Sequence, residues 1–156
     1  MTVSEIDAVV CETLIAADPE IVFAFFTEPE KHQRWMGQRA RLDPRPGGVY
    51  AVDLNEAARA RGEFVEVVPH SRIVFTFGWE GDDQHVPPGS STVEVTLTPT
   101  ADGTHVRLVH RGLLATDMRE QHRDGWQHYL ARLTTAAAGG DPGTDPNANP
   151  PQEGRP

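Results

Sequence analysis

The sequence predicts an α+β fold: a curved antiparallel sheet of about seven strands closed around a long C-terminal helix, with two short helices between strands one and two. Three observations lead there. Strand-like runs that favour one apolar face recur six times between Arg39 and Gly112, the pattern of a sheet with one wet and one buried face. A seventh such run, residues 8–16, stands alone ahead of them. A single long amphipathic stretch, residues 117–138, ends the folded part. It is the one element long enough to lie along the sheet and cover its inner face.

Strand one, residues 8–16, leads into Asp18-Pro19. Asp is a good cap and proline is accepted at the first helical position, where its missing N–H costs nothing. The first short helix, residues 19–26, carries Ile21, Val22, Phe23, Phe25 and Phe26, too apolar a set for an exposed helix. Thr27-Glu28-Pro29 opens the second, which runs to Trp35 and stops at Met36-Gly37, where glycine supports a left-handed cap. Residues 39–43 form strand two, Pro44-Arg45-Pro46-Gly47-Gly48 a turn, and residues 49–54 strand three. Residues 62–68 form strand four, with 59–61 as its approach, and Pro69-His70-Ser71 is a tight turn. Strand five, residues 73–79, puts Ile73, Phe75, Phe77 and Trp79 on one face. Residues 80–91 make a long loop. Strand six, residues 92–98, points Val93, Val95 and Leu97 inward; Asp102-Gly103 is a hairpin turn. Strand seven, residues 104–112, points Val106, Leu108 and His110 the same way. In the closing helix, with Asp117 as its cap, Met118, His122, Trp126, Tyr129, Leu130, Leu133 and Ala137 form one stripe. Arg119, Glu120, Arg123, Asp124 and Arg132 make the opposite face, and Gly139-Gly140 ends the helix.

With 156 residues, one domain is expected, here residues 5–138. The last stretch, 139–156, holds five prolines, four glycines and no large apolar side chain, and is expected to be a disordered tail. The net charge of −9 and the scattered basic residues exclude a nucleic-acid face, which needs clustered Lys and Arg. No apolar run approaches the ~20 residues of a membrane span. Residues 1–7 carry no secretory signal pattern, so a cytoplasmic location is expected. The lone Cys11, set in an apolar strand, is expected to be a buried hydrophobe.

Several segments resemble one family. They are Ala17-Asp18-Pro19-Glu20-Ile21-Val22-Phe23, Thr27-Glu28-Pro29-Glu30 through Arg34-Trp35, and Arg45-Pro46-Gly47-Gly48-Val49-Tyr50. The others are Arg72 through Trp79, Gly103 through Gly112, and Gly125-Trp126 through Leu133. Their joint order resembles the START-like (SRPBCC) superfamily with its helix-grip fold, and more narrowly the Hsp90 ATPase activator homologue, polyketide-cyclase-like group. Met36-Gly37-Gln38 departs from the second aromatic and Gly-Pro that many relatives carry there. The resemblance implies an internal cavity. It also implies three functions: binding of a small hydrophobic molecule, cyclase, dehydratase or hydrolase action on a polyketide-like substrate, or an Hsp90-type protein interaction.

The inward aromatics Trp35, Tyr50, Phe75, Phe77, Trp79 and Trp126, with Met118, His110 and His122, are the expected ligand-binding set. His110 and His122 would orient a polar group or act as acid and base. Asp53 is a third catalytic candidate if a bulge turns it inward; simple alternation puts it opposite Tyr50 and Val52, on the outside. His128 lies beside the apolar stripe, whereas His32, His70 and His85 are expected to be solvated. No spacing of His or Cys supports zinc, so neither metal nor cofactor is expected. Homodimerisation stays open.

Overall fold

The computed structural model describes residues 8–81 and 86–147. In these residues the strands are β1 (Val9–Ile15), β2 (Arg39–Leu42), β3 (Val49–Asp53), β4 (Arg59–Val68), β5 (Arg72–Phe77), β6 (Ser91–Thr100) and β7 (Gly103–Arg111). Helices α1 (Pro19–Thr27) and α2 (Pro29–His32) lie between β1 and β2, and α3 (Thr116–Ala137) follows β7. All seven strands join one antiparallel sheet in the order β1-β7-β6-β5-β4-β3-β2. Strands β2 to β7 follow one another as a meander. β1 instead returns to the last strand, Cys11 opposite Leu108, which the short α1–α2 link allows.

The inner face carries Val9, Ile15, Val93, Val95, Val106 and Leu108, all completely buried. Burying such a side chain contributes about 1.5–3 kcal/mol. From above, α1 adds Val22, Phe25 and Phe26, and α3 adds Trp126, Tyr129, Leu130 and Leu133. The indole N–H of Trp35 donates to the Phe25 carbonyl at 2.8 Å, fixing the turn after α2 onto α1. Gly37 is required there: its φ is +97°, and a Cβ would stand 2.6 Å from Val52 Cγ1.

The placement of α3 shapes everything that follows. Its backbone lies chiefly against β1. The Thr13 and Thr134 hydroxyls meet at 2.8 Å, and the Cys11 thiol faces the Arg123 carbonyl at 3.9 Å. Burial lifts the Cys11 pKa against the pull of Arg123, so this thiol is an unreactive filler at neutral pH. With the helix leaning on that edge, side chains rather than backbone contacts span the gap to the end of β5 and the β3–β4 connection.

The structure corrects several expectations. β4 begins at Arg59, because Arg59 pairs with Asp53 in register. β5 ends at Phe77; Trp79 keeps only an isolated bridge to Ala60. A Cβ on Gly78 would collide with the Pro87 carbonyl, so the next loop can fold close over this point. The N-cap of α3 is Ala115, and Asp117 sits within the first turn. Its carboxylate accepts the Met118 N–H at 2.9 Å, near the positive end of the helix dipole. Arg132 does not belong to a wet face: its Nε donates to the Trp35 carbonyl at 2.9 Å. Nor is His32 solvated. It is buried because α2 is a single turn that wraps the ring against Trp35 at 4.7 Å. His70 is exposed as expected, and His85 lies outside the described residues.

Beyond α3 the described chain continues from Gly139 to Asn147. This segment has no helix or strand, yet Asp145 accepts the Tyr129 hydroxyl at 2.7 Å and Asn147 donates to the same oxygen at 3.1 Å. Polar bonds hold it. The domain's first residues, 5–7, and residues 148–156 lie outside the described part.

Candidate functional site

Between the sheet and α3 lies a cavity of about 450 Å³. Phe77 and Trp79, at the end of β5, form one wall. Met118, His122, Gly125, Trp126 and Tyr129 face it from α3, spaced by three and four residues so that all lie on one helix face. Leu54, Ala57 and Ala58 of the β3–β4 connection, Met36 and Val86 complete the apolar lining. Gln121 and Asn147 border it as polar groups. The lining has no Lys, Arg, Asp or Glu among the described residues.

Two tryptophan–histidine pairs govern the polarity of this wall. The Ser91 hydroxyl donates to the Phe77 carbonyl at 2.7 Å. Since that carbonyl only accepts, Ser91 Oγ can take a proton from His110 Nε2, 2.8 Å away. His110 Nδ1 is then a bare acceptor, and the Trp126 indole N–H donates to it at 3.0 Å. The whole chain runs one way. Burial, assisted by the nearby His122, lowers the His110 pKa to about 3. A second proton on the ring would set N–H against N–H.

His122 repeats the pattern. Its Nδ1 donates to the Met118 carbonyl at 2.7 Å, and its Nε2 accepts the Trp79 indole N–H at 3.0 Å. Burial lowers its pKa, opposed by the Met118 bond. The two imidazoles stand edge to face at 5.3 Å, and Phe77 packs 5.0 Å from His110. Both lining indoles thus spend their donors on neutral histidines, which leaves π surface toward the cavity.

Five of the expected ligand-binding residues line the cavity: Phe77, Trp79, Met118, His122 and Trp126. Trp35, Tyr50, Phe75 and His110 are buried and absent from the lining. Tyr50 stacks on Phe75 at 4.1 Å, which takes both rings into core packing; burial raises the Tyr50 pKa. His110 acts as acceptor and donor inside the core. Asp53 is on the outer side, its carboxylate paired with the Arg61 guanidinium at 2.8 Å. No bulge turns it inward: β3 pairs with β4 in unbroken register from Val49 to Asp53. The lining residues outside the expected set are Met36, Leu54, Ala57, Ala58, Val86 and Asn147, which come from connections, and Gln121, Gly125 and Tyr129 of α3. A glycine in mid-helix on the His122–Trp126 face was a readable signal, since helices disfavour glycine.

A curved antiparallel sheet with a cavity under its C-terminal helix defines a helix-grip protein of the START-like type. The chain belongs to the Activator of Hsp90 ATPase homolog 1-like protein (AHSA1) family, whose model matches residues 16–138. The solution structure of an AHSA1-like protein from Rhizobium etli is similar at 50% identity, with a TM-score of 0.72 over 89% of this chain and 86% of that one. DynU16, a protein of the dynemicin biosynthetic locus, shares the fold at 22% identity and a TM-score of 0.79, over 92% of this chain and 51% of that one. The Aha1 dimer from Colwellia psychrerythraea does so at 16% identity and a TM-score of 0.74, over 85% of this chain and 97% of that one. No curated protein sequence matches the chain. No helix among the described residues is long and apolar enough to cross a membrane.

Proposed function

We propose that the chain binds a small, uncharged hydrophobic or aromatic molecule in the cavity between the sheet and α3. The observation that carries this reading is a volume of about 450 Å³ walled by Phe77, Trp79 and Trp126, within the ~300–1,000 Å³ usual for ligand sites. The neutral histidines and the absence of charged lining groups among the described residues disfavour an ion. Binding is favoured over turnover, because both nitrogens of His122 are already hydrogen-bonded. Among the described residues, no lining histidine offers a free lone pair as general base.

Gly125 supports the same reading. A Cβ placed on it meets nothing within 4 Å, so a side chain there would grow into open space. The test is a titration with N-phenyl-1-naphthylamine, a neutral aromatic dye, followed by dye emission and by the thermal midpoint. Ligand at a hundred times its Kd adds about 2.7 kcal/mol, or roughly 5–10 °C for a chain of this size. Gly125→Phe fills the space and is expected to weaken dye binding at least tenfold with the fold retained. Undiminished binding by that variant, or no response of the parent to this dye or a panel of apolar ligands, overturns the proposal.

A further inference from the structure

The family match ends at residue 138, but the described chain continues to Asn147 and turns back onto the cavity. Residues 141–147 run as a strap from α3 to the β3–β4 connection. At the α3 end, Arg132 Nη1 donates to the Pro142 carbonyl at 3.3 Å. Asp145 receives the Tyr129 hydroxyl at 2.7 Å and His128 Nε2 at 3.2 Å. At the far end, Asn55 Nδ2 donates to the Asn147 carbonyl at 2.7 Å. The Oδ1 of the same Asn55 accepts the N–H groups of Ala57 at 2.8 Å and Ala58 at 2.7 Å. Ala57, Ala58, Tyr129 and Asn147 all line the cavity. One carboxamide therefore clasps the strap to the wall it completes.

The residues of the strap are exposed or half-buried, and polar bonds tie it down. Its bonds are exposed or only part-buried, so water competes for them, and segments held this way open before a domain unfolds. The opposite wall is a hydrogen-bonded sheet and a helix packed on it. If one side of the cavity moves, it is this one.

We propose that residues 141–147 are the gate of the cavity: docked, they bring Asn147 into its lining and hold a bound molecule; released, they open its mouth. The inference rests on the binding function proposed above. Asp145 is the latch, because it joins the strap to two side chains of α3 at once.

The experiment uses the full chain and Asp145→Ala, with Asp141→Ala as control, since among the described residues Asp141 bonds only within the strap, to Gly143. N-phenyl-1-naphthylamine is bound, then its release is followed by stopped flow. In parallel, acrylamide quenching of tryptophan emission is measured without dye. Asp145→Ala is expected to release dye at least fivefold faster and to be quenched more strongly, while Asp141→Ala behaves as the parent. Dye release within twofold of the parent overturns the gate, whether or not the dye binds well. If the parent takes no dye, quenching alone decides. Stronger quenching in Asp145→Ala then upholds the gate while the ligand reading falls, and equal quenching overturns the gate as well.

Discussion

At the scale of single residues, the chain Trp126, His110, Ser91, Phe77 is the most constrained set of atoms near the cavity. Every donor in it has one acceptor. Ser91→Ala removes the middle link and leaves a buried imidazole N–H and a carbonyl unsatisfied, at about 1–3 kcal/mol. A drop of roughly 3–10 °C in thermal midpoint is expected, and a shift below one degree would show that the link carries no energy. Protons tell the same story. His110 and His32 titrate near 3 and 4 in the fold, against 6.5 when free. As pH falls below 6.5 the unfolded chain takes these protons first. Stability is therefore complete above that value and is lost progressively toward pH 4. Each ring contributes a slope of about 1.4 kcal/mol per pH unit within the window. Urea unfolding across that range measures it, and His32→Gln is expected to remove one ring's share of the slope.

At the scale of elements, α3 does two jobs that pull against each other. It must pack on β1, which Leu130 and Leu133 serve by burial, and it must keep a hollow on its other side, which Gly125 serves. Glycine in a helix interior costs about 1 kcal/mol relative to alanine. Gly125→Ala is expected to raise stability by about 0.5–1 kcal/mol, read by urea unfolding, because its methyl group meets nothing within 4 Å. A destabilised variant would mean that this turn of the helix needs glycine for another reason. The strap works by the opposite rule. Burial pushes the Asp145 carboxyl up, but the bonds from Asn147 N–H, Tyr129 and His128 and the charge of Arg132 outweigh it and hold the pKa low. The docked strap is therefore favoured at neutral pH and is lost as acid protonates Asp145.

For the molecule as a whole, much of the architecture is legible in the sequence and much of the site is not, for one physical reason. Alternation and helical periodicity are local, so the strands of Val93–Val95–Leu97 and Val106–Leu108 and the stripe of α3 can be read directly. Partnerships such as Ser91 with His110, or Trp79 with His122 across 43 residues, exist only after folding. Arg59 and Arg61 read only as the approach to strand four because charges at the start of a strand have no local signature; Asp53 of β3 and Glu80 beyond β5 supply their partners. His32 was misread because a one-turn helix has too few residues to reveal a buried side. The bonds of the strap have no such signature, because composition measures apolar content, and Asp145 and Asn147 dock by hydrogen bonds. The far border of the sheet is β2, four residues long, with Arg39 and Arg41 exposed. Two like charges on so short a border deny another chain a ladder to extend, while the other border, β1, is sheltered by α3. The protein is thereby guarded at both ends against the edge-to-edge stacking from which fibrils grow.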